Sequence, residues 1–203
     1  MIHELTATLK RYLFVVTVFV LSLSLTDVAS VAKPTDTPTN TASTSIWPSL
    51  RRHMQFPPLA NHPAIAKQIR WYQQHPYAFQ TMLQHAKPYL AYVFAQTRSH
   101  QLPAEIALLP FIESSYQPNQ HSSAGALGLW QIMPITAQAQ GLEVSHTRDE
   151  RHHLARATQA ALDYIEFLYP IVHHNWWLTI AAYNSGQGRV LSALKHHQKN
   201  VTN

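Results

Sequence analysis

The chain has 203 residues, enough for one domain of ordinary size with a targeting segment and a tail, but not for two sizeable cores. Fifteen Lys and Arg against ten Asp and Glu give a formal net charge of +5, and 46% hydrophobic content excludes a wholly disordered chain. The absence of cysteine excludes disulfides, thiolate catalysis, thiolate metal ligands and lipid attachment through an N-terminal cysteine.

In chain order, Lys10-Arg11 precede an apolar run from Tyr12 to Leu25, and Val28-Ala29-Ser30-Val31-Ala32 then supplies small residues suited to cleavage. The run is shorter than the ~20 residues that span a bilayer as a helix. Residues 1–32 therefore read as a signal peptide, which makes the protein exported, to the periplasm or cell envelope. The alternative is an uncleaved segment that associates the protein with the membrane. Residues 33–45 are rich in Thr, with two prolines and no apolar periodicity, and read as a linker.

From Ile46 the pattern becomes helical. Pro63, Pro76, Pro88 and Pro103 each stand where a helix can begin, because proline in the first turn sacrifices no intrahelical hydrogen bond. Ile65, Ile69 and Tyr72, then Phe79 and Leu83, then Leu90, Val93 and Phe94 recur at three- and four-residue steps, one apolar face per helix. Residues 46–100 form an N-terminal helical subdomain in this reading, and 101–203 a second one. All five glycines lie after position 124, which marks the later region as the place of tight turns. Leu154, Ala157, Ala161, Tyr164, Ile165 and Leu168 share one helical face. Trp176 to Tyr183 is apolar nearly all round, a buried helix ended by Asn184-Ser185-Gly186 in the manner of a left-handed cap. The fold class is mainly α, with room for one short β-hairpin between Gly141 and His152.

Glu113 is the residue that carries chemistry. It closes Ile106-Ala107-Leu108-Leu109-Pro110-Phe111-Ile112, apolar on every side, and partial burial raises a carboxyl's pKa toward the range of a general acid. A purely structural glutamate is the alternative. Ordinary glycosidases need a second carboxylate. Between Pro103 and Leu142 the only other acid is Glu105, assigned to support of the backbone and helix dipole; on a continuous helix it would stand ~12 Å from Glu113. A one-carboxylate mechanism fits better.

Three ordered motifs now carry a resemblance. Leu102 to Tyr116 (LPAEIALLPFIESSY), Ser123 to Pro134 (SAGALGLWQIMP) and Ala181 to Gly186 (AAYNSG) resemble the catalytic-glutamate, Gly-Leu-Trp-Gln and Ala-Tyr-Asn segments of family 1 lytic transglycosylases, in the murein transglycosylase D branch. The similarity is read from about Trp47 through Val190. It implies a lysozyme-like helical domain that cleaves the β-1,4 bond between N-acetylmuramic acid and N-acetylglucosamine in peptidoglycan glycan strands. Glu113 would protonate the leaving oxygen and then deprotonate the muramyl C6 hydroxyl, leaving a 1,6-anhydro end. By position Ser114, Ser122, Gln131, Met133, Tyr183 and Asn184 match residues that orient the glutamate or line the groove. Tyr116, Trp130 and Tyr183 can offer flat faces to sugar rings, whereas Trp176 and Trp177 are assigned to the core. The family continues into further helices and LysM repeats, so the 101–203 transglycosylase domain is expected to be C-terminally shortened.

No cofactor and no metal is expected. The pairs His152-His153, His173-His174 and His196-His197 lack metal-ligand spacing, since adjacent helical residues point ~100° apart. With no Lys/Arg run beyond two residues, nucleic acid is not expected as a partner. Two other functions remain open: a non-catalytic peptidoglycan-binding module and a lysozyme-type hydrolase.

Overall fold

The computed structural model describes residues 45–56 and 63–201. The expected signal segment 1–32 and linker residues 33–44 lie outside the described residues, among which no helix is long and apolar enough to cross a membrane. The α-helices are α1 (Trp47–Arg52), α2 (Pro63–Gln74), α3 (Pro76–Ala86), α4 (Leu90–Ser99), α5 (Leu109–Glu113), α6 (Pro134–Ala139), α7 (Leu154–Ile171), α8 (Trp176–Ser185) and α9 (Gln187–Val201). Short 3-10 turns cover Ala104–Leu108 and Glu150–His152.

Pro63 and Pro76 open α2 and α3 as the proline rule requires, while Pro88 falls in the turn before α4. The segment after Pro103 is not one continuous α-helix. Pro110 has no N–H to offer the carbonyl of Ile106, so the chain runs as a 3-10 turn to Leu108 and only then as the short α5. The face of α4 is buried as patterned, with Leu90, Val93 and Phe94 in the core, whereas Tyr72, Phe79 and Leu83 of α2 and α3 are half-buried. Tyr72 meets Phe79 edge-on at 5.8 Å.

α7 is the central helix. His153 caps it by accepting from the Arg156 N–H, and Ala157, Ala161, Ile165 and Leu168 are at most 2% exposed. Leu162 and Ile165 each contribute roughly 2 kcal/mol of hydrophobic stabilisation when fully buried. α8 packs beside α7, started by Asn175, whose side-chain oxygen accepts from the N–H groups of Trp177 and Leu178. Only its middle, Thr179 to Ala182, is buried; Trp176 and Trp177 are half-buried and enclose Phe56, stacked on the first at 6.1 Å and edge-on to the second at 4.7 Å.

The helix end at Gly186 differs from the expected left-handed cap. Its φ of 86° is positive but its ψ is 139°, an extended glycine-only conformation that sends the chain straight into α9 at Gln187. The segment from Gly141 to His152 folds back on itself with one antiparallel bridge, Val144 to Asp149, and no strand forms among the described residues. A two-stranded ribbon this short has no further strand to lie against.

Candidate active site

Glu113 is the last residue of α5, and the chain reverses immediately after it. The N–H groups of Ser114 and Tyr116 both donate to the Pro110 carbonyl, at 3.1 and 2.9 Å, and Ser115 and Tyr116 take φ of 53° and 60°. Two successive non-glycine residues in the left-handed region cost ~1–2 kcal/mol each. The Tyr116 side chain offsets this: it is fully buried, edge-on to Phe111 at 4.6 Å, with its hydroxyl donating to the Ala107 carbonyl at 2.7 Å. Tyr116 is therefore not a sugar platform but the anchor of the turn that aims Glu113. Burial pushes its hydroxyl well above the usual tyrosine range.

Ser114 is also buried, and its Oγ donates to the Leu129 carbonyl at 2.8 Å, tying the turn to the glycine loop. Ser114 does not line the cleft. Trp130 does not face sugar either, being fully buried with Nε1–H donating to Thr158 Oγ1 at 3.0 Å. Both aromatic rings lie in the core with their polar ends satisfied, Tyr116 by a carbonyl of its own motif and Trp130 by a hydroxyl of α7.

The loop from Gln120 to Ile132 forms one wall. Leu127 and Ile132 exchange backbone hydrogen bonds at 3.3 and 3.2 Å, and Gln131, at φ 48°, turns its amide nitrogen onto the carbonyls of Gln120 and Gly128. Ser122 Oγ accepts from the Ala126 N–H at 2.9 Å. Behind the loop stands Arg151, 7% exposed, forked onto Asp149 while its Nη1 donates to the carbonyls of Gly125 and Ile132 at 2.8 and 3.0 Å. Gly128 passes so close to this segment that a Cβ would stand 2.3 Å from the Arg151 carbonyl oxygen.

The Arg151 side chain holds the Asp149 carboxyl below the ordinary carboxylate value of 3.8. A lowered carboxyl stabilises the fold fully above its unfolded pKa and loses that contribution as pH falls through the folded one. Asp149→Asn should lower the melting temperature at neutral pH. Wild type and variant should converge in a pH series taken well below 3.8, because protonation then removes the same ion pair.

Between this wall and α7 lies a cleft of about 310 Å³, lined by Glu113, Ser122, Gln131, Met133, Tyr183 and Asn184 together with Ala124, Ala126, Ile132, Thr136, Ala160, Ala161 and Tyr164. Asn184 Nδ2 donates to Glu113 Oε1 at 3.0 Å, and the Tyr183 hydroxyl donates to the Trp130 carbonyl at 2.8 Å. The small side chains of Ala160 and Ala161 leave the space, and Tyr164, 5.8 Å from Tyr183 ring to ring, closes it. Burial raises the Tyr164 hydroxyl above its usual range.

The family described as "Transglycosylase SLT domain" matches residues 91–203, more than half of the chain. The chain belongs to this SLT family. The match begins inside α4, so α1 to α3 stand outside it, although the resemblance read from the sequence started near Trp47. Membrane-bound lytic murein transglycosylase D of Escherichia coli strain K12 is 40% identical over 110 residues, 54% of this chain and 24% of the relative, and the protein of strain CFT073 matches to the same extent. An Alteromonas sp. (strain M-1) protein named for tributyltin chloride resistance is 38% identical over 111 residues, 55% of this chain and 54% of its own. The chain thus spans about a quarter of the length of its E. coli relatives.

In this SLT domain six of the nine candidate site residues read from the sequence converge on the cleft; Ser114, Tyr116 and Trp130 do not. Glu105 plays the backbone role expected of it by other means: its buried carboxylate accepts from the N–H groups of Gln55 and Phe56 at 2.9 and 2.8 Å. Burial raises its pKa, and those N–H groups partly oppose the rise. The sequence reading missed Tyr164 and Arg151. Tyr164 could have been found from Ala160 and Ala161 one turn earlier on its own face, a small-small-large pattern that leaves a hollow beside an aromatic ring. For Arg151 the local signal is the nearby Asp149, which supplies two of its four oxygen partners; the other two, the carbonyls of Gly125 and Ile132, lie far back in the chain.

Proposed function

We propose that the chain is a peptidoglycan lytic transglycosylase that cleaves the β-1,4 bond between N-acetylmuramic acid and N-acetylglucosamine in the cell envelope and leaves a 1,6-anhydro end. One observation carries this reading. Among the described residues lining the cleft, Glu113 alone bears a carboxyl group. A retaining or inverting glycosidase needs a second carboxylate about 5–10 Å away, as nucleophile or as base for water. Where none lines the cleft, the substrate's own C6 hydroxyl is the nucleophile that a single acid/base can activate.

Glu113 protonates the departing glycosidic oxygen while the C1–O bond breaks. Its carboxylate then takes the proton of the muramyl C6 hydroxyl as that oxygen bonds to C1. The carboxyl returns to its starting protonation state, and no water is consumed. Asn184, by donating to Oε1, holds the carboxyl plane in register with both steps. Tyr183, Tyr164 and Met133 offer apolar surface to the sugar rings, and Ser122 and Gln131 offer polar groups to the acetamido and hydroxyl substituents.

Purified protein incubated with murein sacculi tests this. Anhydromuropeptides detected by mass spectrometry support transglycosylation, reducing ends of unmodified mass would indicate a lysozyme-type hydrolase, and glycan binding without products would indicate a non-catalytic module.

A further inference from the structure

We propose that His100, Asp163 and Glu166 form a binding site for a divalent transition-metal cation, best matched by Zn2+, which joins α4 to α7. His100 follows the last residue of α4, and Asp163 and Glu166 stand one turn apart on α7. Their ligand atoms all lie within 4.8 Å of one another, with His100 Nδ1 and Glu166 Oε1 already at 2.9 Å. Zinc bound by imidazole nitrogen and carboxylate oxygen at about 2.0–2.2 Å holds such atoms about 3.4 Å apart. The half-exposed Glu166, at 43%, can close the remaining distance by a change of rotamer, while His100, at 15%, is held in place.

Two further observations favour a cation here. Gln159, one turn before Asp163, bridges the set: its Oε1 lies 3.4 Å from His100 Nε2 and its Nε2 donates to Asp163 Oδ1 at 2.8 Å. Gln159 thereby holds the imidazole with Nδ1 facing Glu166, as an outer residue orients a ligating histidine; Nδ1 carries the hydrogen of its 2.9 Å bond to Glu166 Oε1, and a metal ion would take that hydrogen's place. The second is charge. Among the described residues no Lys or Arg pairs with Asp163 or Glu166, so two carboxylates converge on one imidazole without a fixed positive partner. One nitrogen and two oxygens suit a borderline divalent ion, with water completing the coordination on the open side. Gln159, Asp163 and Glu166 occupy the face of α7 opposite Ala161 and Ile165. The bound ion would therefore brace the helix that carries Tyr164 without entering the cleft.

The full chain, freed of metal by chelation and titrated with Zn2+ near pH 7.5, tests the site by calorimetry and melting temperature. The melting temperature should rise by about 5 °C at a hundredfold excess over the Kd. Asp163→Asn and Glu166→Gln, which keep shape and leave the core untouched, should each weaken binding about tenfold or more. Gln159→Leu should weaken it through the loss of imidazole orientation. Two results overturn the proposal: no rise with Zn2+, or a rise unchanged in Asp163→Asn and Glu166→Gln, as binding by other members of the fourteen histidines would produce.

Discussion

Glu113→Gln is expected to lower the rate of anhydromuropeptide release by about a thousandfold or more while moving the melting temperature by no more than about 2 °C. General acid and general base assistance are each worth about a hundred- to ten-thousandfold, and in a single-carboxyl mechanism one substitution removes both. The fold should tolerate the exchange, because glutamine has the same shape and its Oε1 can still accept from Asn184 Nδ2. Turnover and stability are thus separable at this position, by product analysis on sacculi beside a thermal melt. Residual activity within tenfold of wild type would remove Glu113 from the chemistry. A large fall in melting temperature would give it a structural role instead.

The largest effect on stability should come from Gly128→Ala. The position has φ of 80°, where an L side chain is strained, and the added Cβ would meet the Arg151 carbonyl oxygen at 2.3 Å and its carbonyl carbon at 3.2 Å. Those atoms belong to backbone, so relief requires the Glu150–His152 turn to leave the loop, with the buried guanidinium of Arg151 drawn away from Gly125 and Ile132. We expect a loss of about 3–5 kcal/mol, read as a fall of about 10 °C or more in melting temperature. Gly125→Ala supplies the contrast. That glycine has φ of 89° but nothing within 4 Å of its Cβ, so only backbone strain of about 1–2 kcal/mol applies. Equal losses at the two positions would show that the close approach to Arg151 does not matter.

What the sequence made legible was local. Periodicity located α4 and α7, and the wholly apolar approach to Glu113 identified the carboxyl that stands in the cleft. What it hid was set by contacts that exist only once the chain has folded. Tyr116 and Trp130 look like exposed aromatics beside a catalytic motif until Ala107 and Thr158 are found to satisfy their polar ends. Arg151 reads as one more cation beside two histidines until four oxygens surround it. Pro110 was the exception, a local signal overlooked, since a missing N–H alone is enough to split the segment from Ala104 to Glu113. The pairing of Asn184 with Glu113, 71 residues apart, is beyond the reach of spacing rules and was suggested only by family resemblance.

The end of α8 makes two of the bonds on which the cleft depends through consecutive residues, Tyr183 to the loop wall and Asn184 to Glu113. Neighbours on a helix cannot be repositioned independently, so any shift of α8 disturbs the cleft wall and the orientation of Glu113 in a single movement. Substitutions that unseat this helix should consequently combine less than additively with those at either contact: once α8 has slipped, the second defect removes an interaction already lost.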